Sequence, residues 1–134
     1  MLMKSVGALA VVATLAFVGA SAPISAAEGP QVQRKVVLTQ DLAIPNYQQV
    51  TVEVTIPVGG REGRHTHPGS VTVYVLEGNL TLYYEGKPMN TYKPGEAVFI
   101  ESGKVHEGIN QGNAPIKAVA SFVVEKGKPL TTQQ

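Results

Sequence analysis

The 134-residue chain has no cysteine and no tryptophan, and its acidic and basic side chains nearly balance. Without cysteine it can form neither disulfides nor thiolate–metal bonds, so packing and any metal bound through other side chains must stabilise it. Eleven basic residues against ten acidic ones give a formal net charge of +1, and the basic residues form no cluster. We therefore expect no nucleic acid and no membrane surface as a partner, and predict a small-molecule ligand or substrate.

The first 27 residues differ in composition from the rest of the chain. Lys4 precedes an uncharged run over residues 5–19, and the small residues 25–27 come just before Glu28, the first acidic residue. This order of basic, apolar and small residues is typical of a secretory signal peptide. The apolar run is shorter than the roughly 20 residues that span a membrane, although an uncleaved anchor is the alternative. We expect cleavage after Ala27 and a periplasmic or secreted protein.

Residues 28–134 have the composition and periodicity of a single all-β domain. Apolar residues at 50, 52, 54 and 56 alternate with polar ones at 51, 53 and 55, which predicts a strand with one buried face. Further strands are predicted over 71–76, 80–84, 97–100 and 116–124, separated by turns at 77–79, 85–88 and 93–95. Many short strands with this spacing indicate a sandwich or barrel. We also expect an edge strand over 34–39 and a loose polar tail over 131–134.

The chain contains only three histidines, His65, His67 and His106. The first two are two residues apart, a spacing that places both imidazoles on one face of an extended strand. His106 follows 39 positions later and must come from a different strand. If the fold brings the three together, their neutral nitrogens suit Fe, Zn, Ni, Cu or Mn better than Mg or Ca.

Two spaced motifs surround these histidines. Residues 59–78 match the pattern G-x5-H-x-H-x3-E-x6-G at Gly59, His65, His67 and Gly78. Residues 95–110 resemble the pattern G-x5-P-x-G-x2-H-x3-N at Gly95, Gly103, His106 and Asn110. With both motifs in this order, the chain resembles the small single-domain cupins. The resemblance implies a double-stranded β-helix or jelly-roll barrel with its core at about 50–124. It also implies a metal held by His65, His67 and His106, and a homodimer.

The chain departs from the motifs at two positions. Val71 occupies the position of the glutamate ligand, and its neighbours Ser70 and Thr72 carry no carboxylate either. Glu101 occupies the position of the second motif's proline, where we expect it to affect loop rigidity more than chemistry. Three neutral imidazoles leave coordination positions open and do not offset the charge of a divalent ion. We therefore expect the site to attract an anionic enolate or carboxylate.

The resemblance extends to cupins that use three histidines without glutamate, several of which are iron oxygenases. It implies iron as the metal and a dioxygenase-like oxidoreductase acting on a small organic substrate. One alternative is a cupin that binds a metal or small ligand without catalysis. Another is a metal-dependent isomerase or lyase, which needs a general base. The sequence identifies no such base, because we interpret Glu62 and Glu107 as solvated carboxylates.

Several other side chains near the motifs are candidates for lesser roles. Arg61 and Arg64 flank the histidine pair and could guide an anionic substrate toward the metal. Tyr74, Tyr83 and Tyr84 lie in predicted strands, and we expect them to pack in the core.

Overall fold

A computed structural model describes residues 29–134, so the predicted signal peptide over residues 1–27 lies outside the described residues. Within residues 29–134 the chain forms ten strands and no helix. The strands are β1 (Gln33–Asp41), β2 (Tyr47–Ile56), β3 (His65–Thr66), β4 (Gly69–Glu77), β5 (Leu80–Tyr84), β6 (Lys87–Tyr92), β7 (Ala97–Ile100), β8 (His106–Ile109), β9 (Ile116–Glu125) and β10 (Thr132–Gln133). This part of the chain accordingly contains no helix of the length and hydropathy needed to cross a membrane.

The strands form two five-stranded antiparallel sheets. One, which we call the long-strand sheet, has the order β1-β2-β9-β4-β7. The other, which we call the histidine sheet, has the order β10-β3-β8-β5-β6. Apart from the consecutive pairs β1-β2 and β5-β6, neighbours in both sheets are not consecutive in the sequence, as in a jelly roll, and the expected all-β jelly-roll fold is confirmed.

The core lies between the sheets and is formed mainly by the long-strand sheet. The predicted alternation in β2 is confirmed, because Val50, Val52, Val54 and Ile56 are all buried. The odd-even pattern repeats in β9, where five of the ten residues are buried, and β9 pairs along its length with both β2 and β4. Leu80 and Leu82 of β5 belong to the same core from the opposite sheet. A period of two therefore gives each strand one apolar face for the barrel interior.

Two elements differ from the sequence prediction. The turn expected over residues 85–88 is confined to Glu85 and Gly86, and strand β6 begins at Lys87. Pro88 is tolerated in β6 because β6 is an edge strand, where a missing backbone N–H need not interrupt the sheet. The expected loose tail is also wrong, because Thr132 and Gln133 form β10 and pair with Thr66 and His65.

The expected edge strand over 34–39 is confirmed as β1, which pairs only with β2 within residues 29–134. All nine of its residues are exposed, including Val36 and Leu38 at about half of their surface. The homodimer implied by the family resemblance stays a prediction.

Of the three tyrosines expected in the core, Tyr84 is buried, Tyr83 is only partly buried and Tyr74 is exposed. Tyr84 packs in the core as expected, and its hydroxyl accepts a hydrogen bond from the Glu101 backbone N–H at 3.2 Å. The expectation was wrong for Tyr74, which is 45% exposed. Val71 and Val75 take the inward positions of β4, so the alternation of the strand turns Tyr74 outward.

Candidate metal centre

The histidine sheet brings the three histidines together at one point. His65 in β3 lies opposite His106 in β8, and His67 follows directly after β3. All three are buried, with 2%, 8% and 3% of the surface of His65, His67 and His106 exposed. One nitrogen from each ring lies within 4.8 Å of the others. The spacing of the first two and the separate strand of the third are therefore as predicted.

Backbone carbonyls fix the orientation of each ring. His65 Nδ1 lies 2.7 Å from the carbonyl of Gly63, and His67 Nδ1 lies 2.7 Å from that of Leu130. His106 Nδ1 lies 2.9 Å from the carbonyl of Lys104. A carbonyl oxygen only accepts hydrogen bonds, so each Nδ1 carries the hydrogen. Each neutral ring consequently presents the lone pair of its Nε2. Histidines that bind a metal commonly have this arrangement, in which one ring nitrogen binds the metal and the N–H of the other donates a hydrogen bond to the protein.

The electrostatic environment favours the neutral rings. The pKa of His67 is lowered to about 4, mainly by burial and to a smaller extent by the charges of its neighbours His106, His65 and Arg34. The pKa of His106 is also lowered to about 4, again mainly by burial. Hydrogen bonds to the backbone carbonyls oppose these shifts without cancelling them. Both rings are therefore uncharged near pH 7 and available as ligands.

The Nε2 atoms of His67 and His106 are close enough to share a metal ion. His67 Nε2 and His106 Nε2 are 3.1 Å apart, and with both hydrogens on Nδ1 their lone pairs face each other. That arrangement is repulsive unless a cation lies between them. Two nitrogens bonded at about 2.1 Å to one ion can be at most about 4.2 Å apart, which the 3.1 Å pair satisfies. The donor set is thus suited to a divalent first-row metal.

A cavity of about 60 Å³ opens beside the histidines. Most of its wall is apolar and comes from the long-strand sheet, including Val52, Val71 and Ile116. Phe122 lies against His67, with ring centroids 4.8 Å apart in an edge-on arrangement. Because one ordered water needs at least about 10–15 Å³, the cavity has room for about four water-sized groups. Val71, at the position of the motif's glutamate, is one of the apolar residues that form this wall.

Glu107 is not the solvated carboxylate that we expected. It is 3% exposed and accepts hydrogen bonds from Arg61 Nε at 2.6 Å and Arg61 Nη2 at 2.9 Å. The hydrogen bond from Arg61 is the main reason why the pKa of Glu107 is lowered. Its carboxylate also accepts from the Gly63 backbone N–H at 3.2 Å. Glu107 therefore holds the segment from Arg61 to Gly63 in place. The carbonyl of Gly63 in turn orients His65.

Glu62 was also wrongly interpreted as solvated. Its side chain is only 14% exposed and lines the cavity, with Oε2 at 3.8 Å from His65 Nε2. The same oxygen accepts from the Gly108 backbone N–H at 3.1 Å, and Oε1 lies 3.4 Å from Arg34 Nη2. Glu62 is the one acidic residue in the segment 59–65, which is the sequence signal that could have identified it.

The arginines are arranged differently from the sequence hypothesis. Arg61 is bound to Glu107, and the guanidinium of Arg64 lies over the ring of Tyr83 at 4.4 Å from its centroid. Neither lines the cavity, whereas Arg34 of β1 does. No motif surrounds Arg34, so only the pairing of β1 with β2 could have brought it to this site.

The C-terminal segment also contributes to the site. Besides the Leu130 carbonyl, the side chains of Leu130 and Thr131 line the cavity. The sequence predicted only a loose polar tail over 131–134, because a contact between residues 63 positions apart leaves no local pattern in the sequence.

Residues 52–125, more than half of the chain, match the family model described as a cupin domain. The chain belongs to the cupin family. A stretch of 63 residues is 35% identical to germin-like protein 1 of Brassica napus, covering 43% of this chain and 30% of that protein. This cupin thus matches less than a third of the germin-like protein's length.

Two proteins of Thermotoga maritima are also similar to this cupin. Over 83 residues it is 28% identical to an oxalate-binding protein, covering 61% of this chain and 68% of that one. A solved structure of a cupin-like protein superposes with a TM-score of 0.65 at 22% identity, covering 79% of this chain and 77% of the other. The structural match supports the fold, and the cluster of three histidines gives this cupin a site that could hold a metal.

Proposed function

We propose that this cupin binds one divalent first-row metal ion through the Nε2 atoms of His65, His67 and His106, and a small organic anion beside it. The observation that carries the proposal is the convergence of three buried lone pairs whose partner nitrogens all donate to backbone carbonyls. A bound metal would supply positive charge, Lewis acidity and, for a redox-active ion, electron transfer. Iron is the metal that we propose first, with Zn, Ni, Mn or Cu as competitors for the same donors.

The size and charge of the cavity favour a small carboxylate as the ligand. About 60 Å³ accommodates only a few non-hydrogen atoms beyond those of the site. Arg34, which lines the cavity, carries a positive charge, and most of the remaining wall is apolar. The similarity to a protein named for oxalate binding supports the same ligand class. We therefore propose oxalate and acetate as the first probes of binding.

For the reaction, we propose dioxygenase-like oxidation of the bound anion. The histidines would leave positions of the metal open for oxygen and substrate. Val71 and Phe122 would limit the access of water, since both contribute apolar surface to the cavity. Oxygen uptake by the Fe(II)-loaded protein with a panel of small carboxylates and dicarbonyls tests this reaction. Uptake that never exceeds the rate without protein would contradict it.

Glu62 favours a second candidate, a metal-dependent lyase or isomerase. Such chemistry needs a base within reach of the substrate, and the Glu62 carboxylate lines the cavity at 3.8 Å from His65 Nε2. Turnover that continues without oxygen would favour this class over oxidation. Stoichiometric binding of metal and oxalate with no turnover in either assay would identify a non-catalytic binding protein.

Elemental analysis of the protein purified without chelator tests the metal site itself. The matched variant carries His65→Ala and His106→Ala. Near-stoichiometric iron that disappears in the variant supports the proposed centre and its redox chemistry. Zinc or nickel lost in the same way would support the metal site and move the reaction toward non-redox chemistry. Equal and negligible metal in both proteins would contradict the proposal.

We also propose that the protein is exported. The support is the basic, apolar and small-residue pattern of residues 1–27. Expression in a Gram-negative host followed by intact mass measurement of the periplasmic fraction should give a chain that begins at Glu28. An intact N-terminus in the cytoplasmic or membrane fraction would contradict export with cleavage.

A further inference from the structure

The first cupin motif lacks its carboxylate in this chain, yet a carboxylate is present at the site. Val71, at the motif position, is 2% exposed and contributes apolar wall to the cavity. Glu62 reaches the same cavity from the segment before β3, and its Oε2 lies 3.8 Å from His65 Nε2. We propose that Glu62 replaces the missing motif glutamate as the fourth protein ligand of the metal. This inference rests on the proposed three-histidine centre.

The distance between Glu62 and His65 is compatible with a shared ion. Donors bonded at about 2.1 Å to one metal can be up to about 4.2 Å apart, and 3.8 Å lies within this limit. His65 donates its Nδ1 hydrogen to the Gly63 carbonyl, so the Nε2 atom facing Glu62 carries a lone pair. A carboxylate oxygen and a nitrogen lone pair therefore face each other in a mostly buried place. A cation between them removes the resulting repulsion.

The fold holds the carboxylate of Glu62 in this position. The Gly108 backbone N–H donates to Oε2 at 3.1 Å, and the Glu62 backbone N–H donates to the Gly108 carbonyl at 3.0 Å. Gly108 also leaves the necessary space, because a Cβ there would lie 2.9 Å from Glu62 Oε2 and 3.2 Å from Leu80 Cδ1. These contacts limit the rotation of the side chain, so a ligand role costs less conformational entropy.

Pairing with Arg34 does not by itself explain the orientation of Glu62. Arg34 Nη2 contacts only Oε1, at 3.4 Å, and the Arg34 side chain is 41% exposed. Ion pairs this open to solvent contribute little to stability. The other oxygen, Oε2, lies on the side of the histidines. With a divalent ion bound, Glu62 would lower the charge of the centre by one unit, and Arg34 would supply one positive charge beside it.

Cobalt titration of the chelator-treated protein tests the proposal without any assay of activity. The variants are Glu62→Gln, which keeps an oxygen acceptor for Gly108 but loses the charge, and Glu85→Gln as a control. Glu85 is exposed in the turn between β5 and β6, so its substitution changes the net charge equally. We expect E62Q to weaken Co²⁺ binding about ten- to a hundredfold, at least the effect of losing a partner outside the coordination shell. We also expect E62Q, and not E85Q, to change the Co²⁺ absorption spectrum.

A second-site variant tests the replacement directly. Adding Val71→Glu to E62Q returns a carboxylate to the motif position, and recovery of Co²⁺ affinity would support the exchange of one carboxylate for the other. If E62Q fails to fold, Glu62→Asp serves in its place, since it keeps the charge but withdraws it by one methylene. Thermal unfolding in chelator compares the folding of all variants without metal.

The outcomes separate this inference from the proposed metal site. If the unsubstituted protein binds no Co²⁺, both the site and the role of Glu62 are wrong. If it binds Co²⁺ and E62Q matches it in affinity and spectrum, only the role of Glu62 is wrong. A weaker affinity with an unchanged spectrum would also overturn ligation, because it would place Glu62 outside the coordination shell.

Discussion

The two sheets of this cupin differ in length, in composition and in what holds them together. Four of the five strands of the long-strand sheet have nine or ten residues, whereas β3, β8 and β10 of the histidine sheet have two to four. The long-strand sheet buries valine, isoleucine and alanine. The histidine sheet contains the buried His65, His106 and Glu107. Apolar burial that stabilises the fold is therefore mostly separated from the groups that carry chemistry.

Short strands need further support, which polar side chains provide. Asn110, just after β8, donates its amide to the carbonyls of Ile56 at 3.0 Å and Ala114 at 2.9 Å. Because Ile56 belongs to β2, this side chain links the two sheets. Glu107 similarly holds Arg61 and the Gly63 N–H before β3. In this cupin a long hydrogen-bonded ladder stabilises one sheet, and individual side-chain bonds position the other.

The largest expected loss of metal affinity comes from substitutions in the histidine sheet. His65→Ala with His106→Ala should reduce metal affinity by roughly a hundredfold or more, because two of three nitrogen donors are removed. The core of the long-strand sheet does not contain these rings, so the variant should remain folded in chelator. Metal titration and circular dichroism check both parts. Loss of the β-sheet signal in chelator would show that the two sheets are not separable in this way.

Removal of the C-terminal segment should have the next largest effect. A chain that ends at Pro129 loses the Leu130 carbonyl that accepts from His67 Nδ1, and it loses β10 beside β3. Partners of this kind outside the coordination shell contribute about ten- to a hundredfold to metal affinity. Metal titration should show that loss, whereas a control chain lacking only Gln134 should bind normally. Equal affinity of both truncated chains would contradict a role for this segment.

A core substitution in the long-strand sheet should lower stability and leave metal affinity unchanged. Val75 is fully buried and does not line the cavity. Val75→Ala removes two methyl groups from the core and should reduce the free energy of unfolding by about 1.5 kcal/mol. Any cavity that remains would add to this loss. Denaturant unfolding in chelator measures this loss, and metal titration should give an unchanged affinity. A variant that loses metal affinity as well would show coupling between the sheets.

The smallest effect is expected at the exposed arginine beside β3. Arg64 lies over Tyr83 and does not line the cavity, so Arg64→Glu should change oxalate affinity of the metal-loaded protein by less than about threefold at physiological salt. Arg34→Gln is the comparison, and we expect it to weaken oxalate binding more. Calorimetric titration of both variants checks the order. A larger loss at Arg64 would restore the hypothesis that this residue guides the ligand.

The sequence predicted those parts of the fold that have a local pattern. The alternation at Val50–Ile56 and the histidine spacing follow from the period of two in a strand, and both were confirmed in the structure. The same period could have predicted the exposure of Tyr74, which alternates with Val71 and Val75. Strand β6 was missed because its Pro88 normally ends a strand, and only its place at a sheet edge makes it acceptable.

The parts of the site that were missed depend on contacts between distant segments. Arg34 reaches the cavity because β1 adds to the edge of the long-strand sheet, and Leu130 reaches His67 because β10 pairs with β3. Glu62 lies in an irregular segment, where side-chain direction does not follow from a strand period. The motifs therefore located the histidines, while the groups around them required the three-dimensional path of the chain.

The backbone acceptors of the three histidines have a consequence for how this site tolerates mutation. Any residue at position 104 or 130 offers the same carbonyl oxygen, so side-chain replacement there can leave the ring tautomers unchanged. Position 63 is different, because Gly63 has a φ of +75° and an added Cβ would lie 3.0 Å from the Gln133 side chain. Chains with quite different residues around the histidines could thus keep the same donor orientation, provided that the backbone follows the same path.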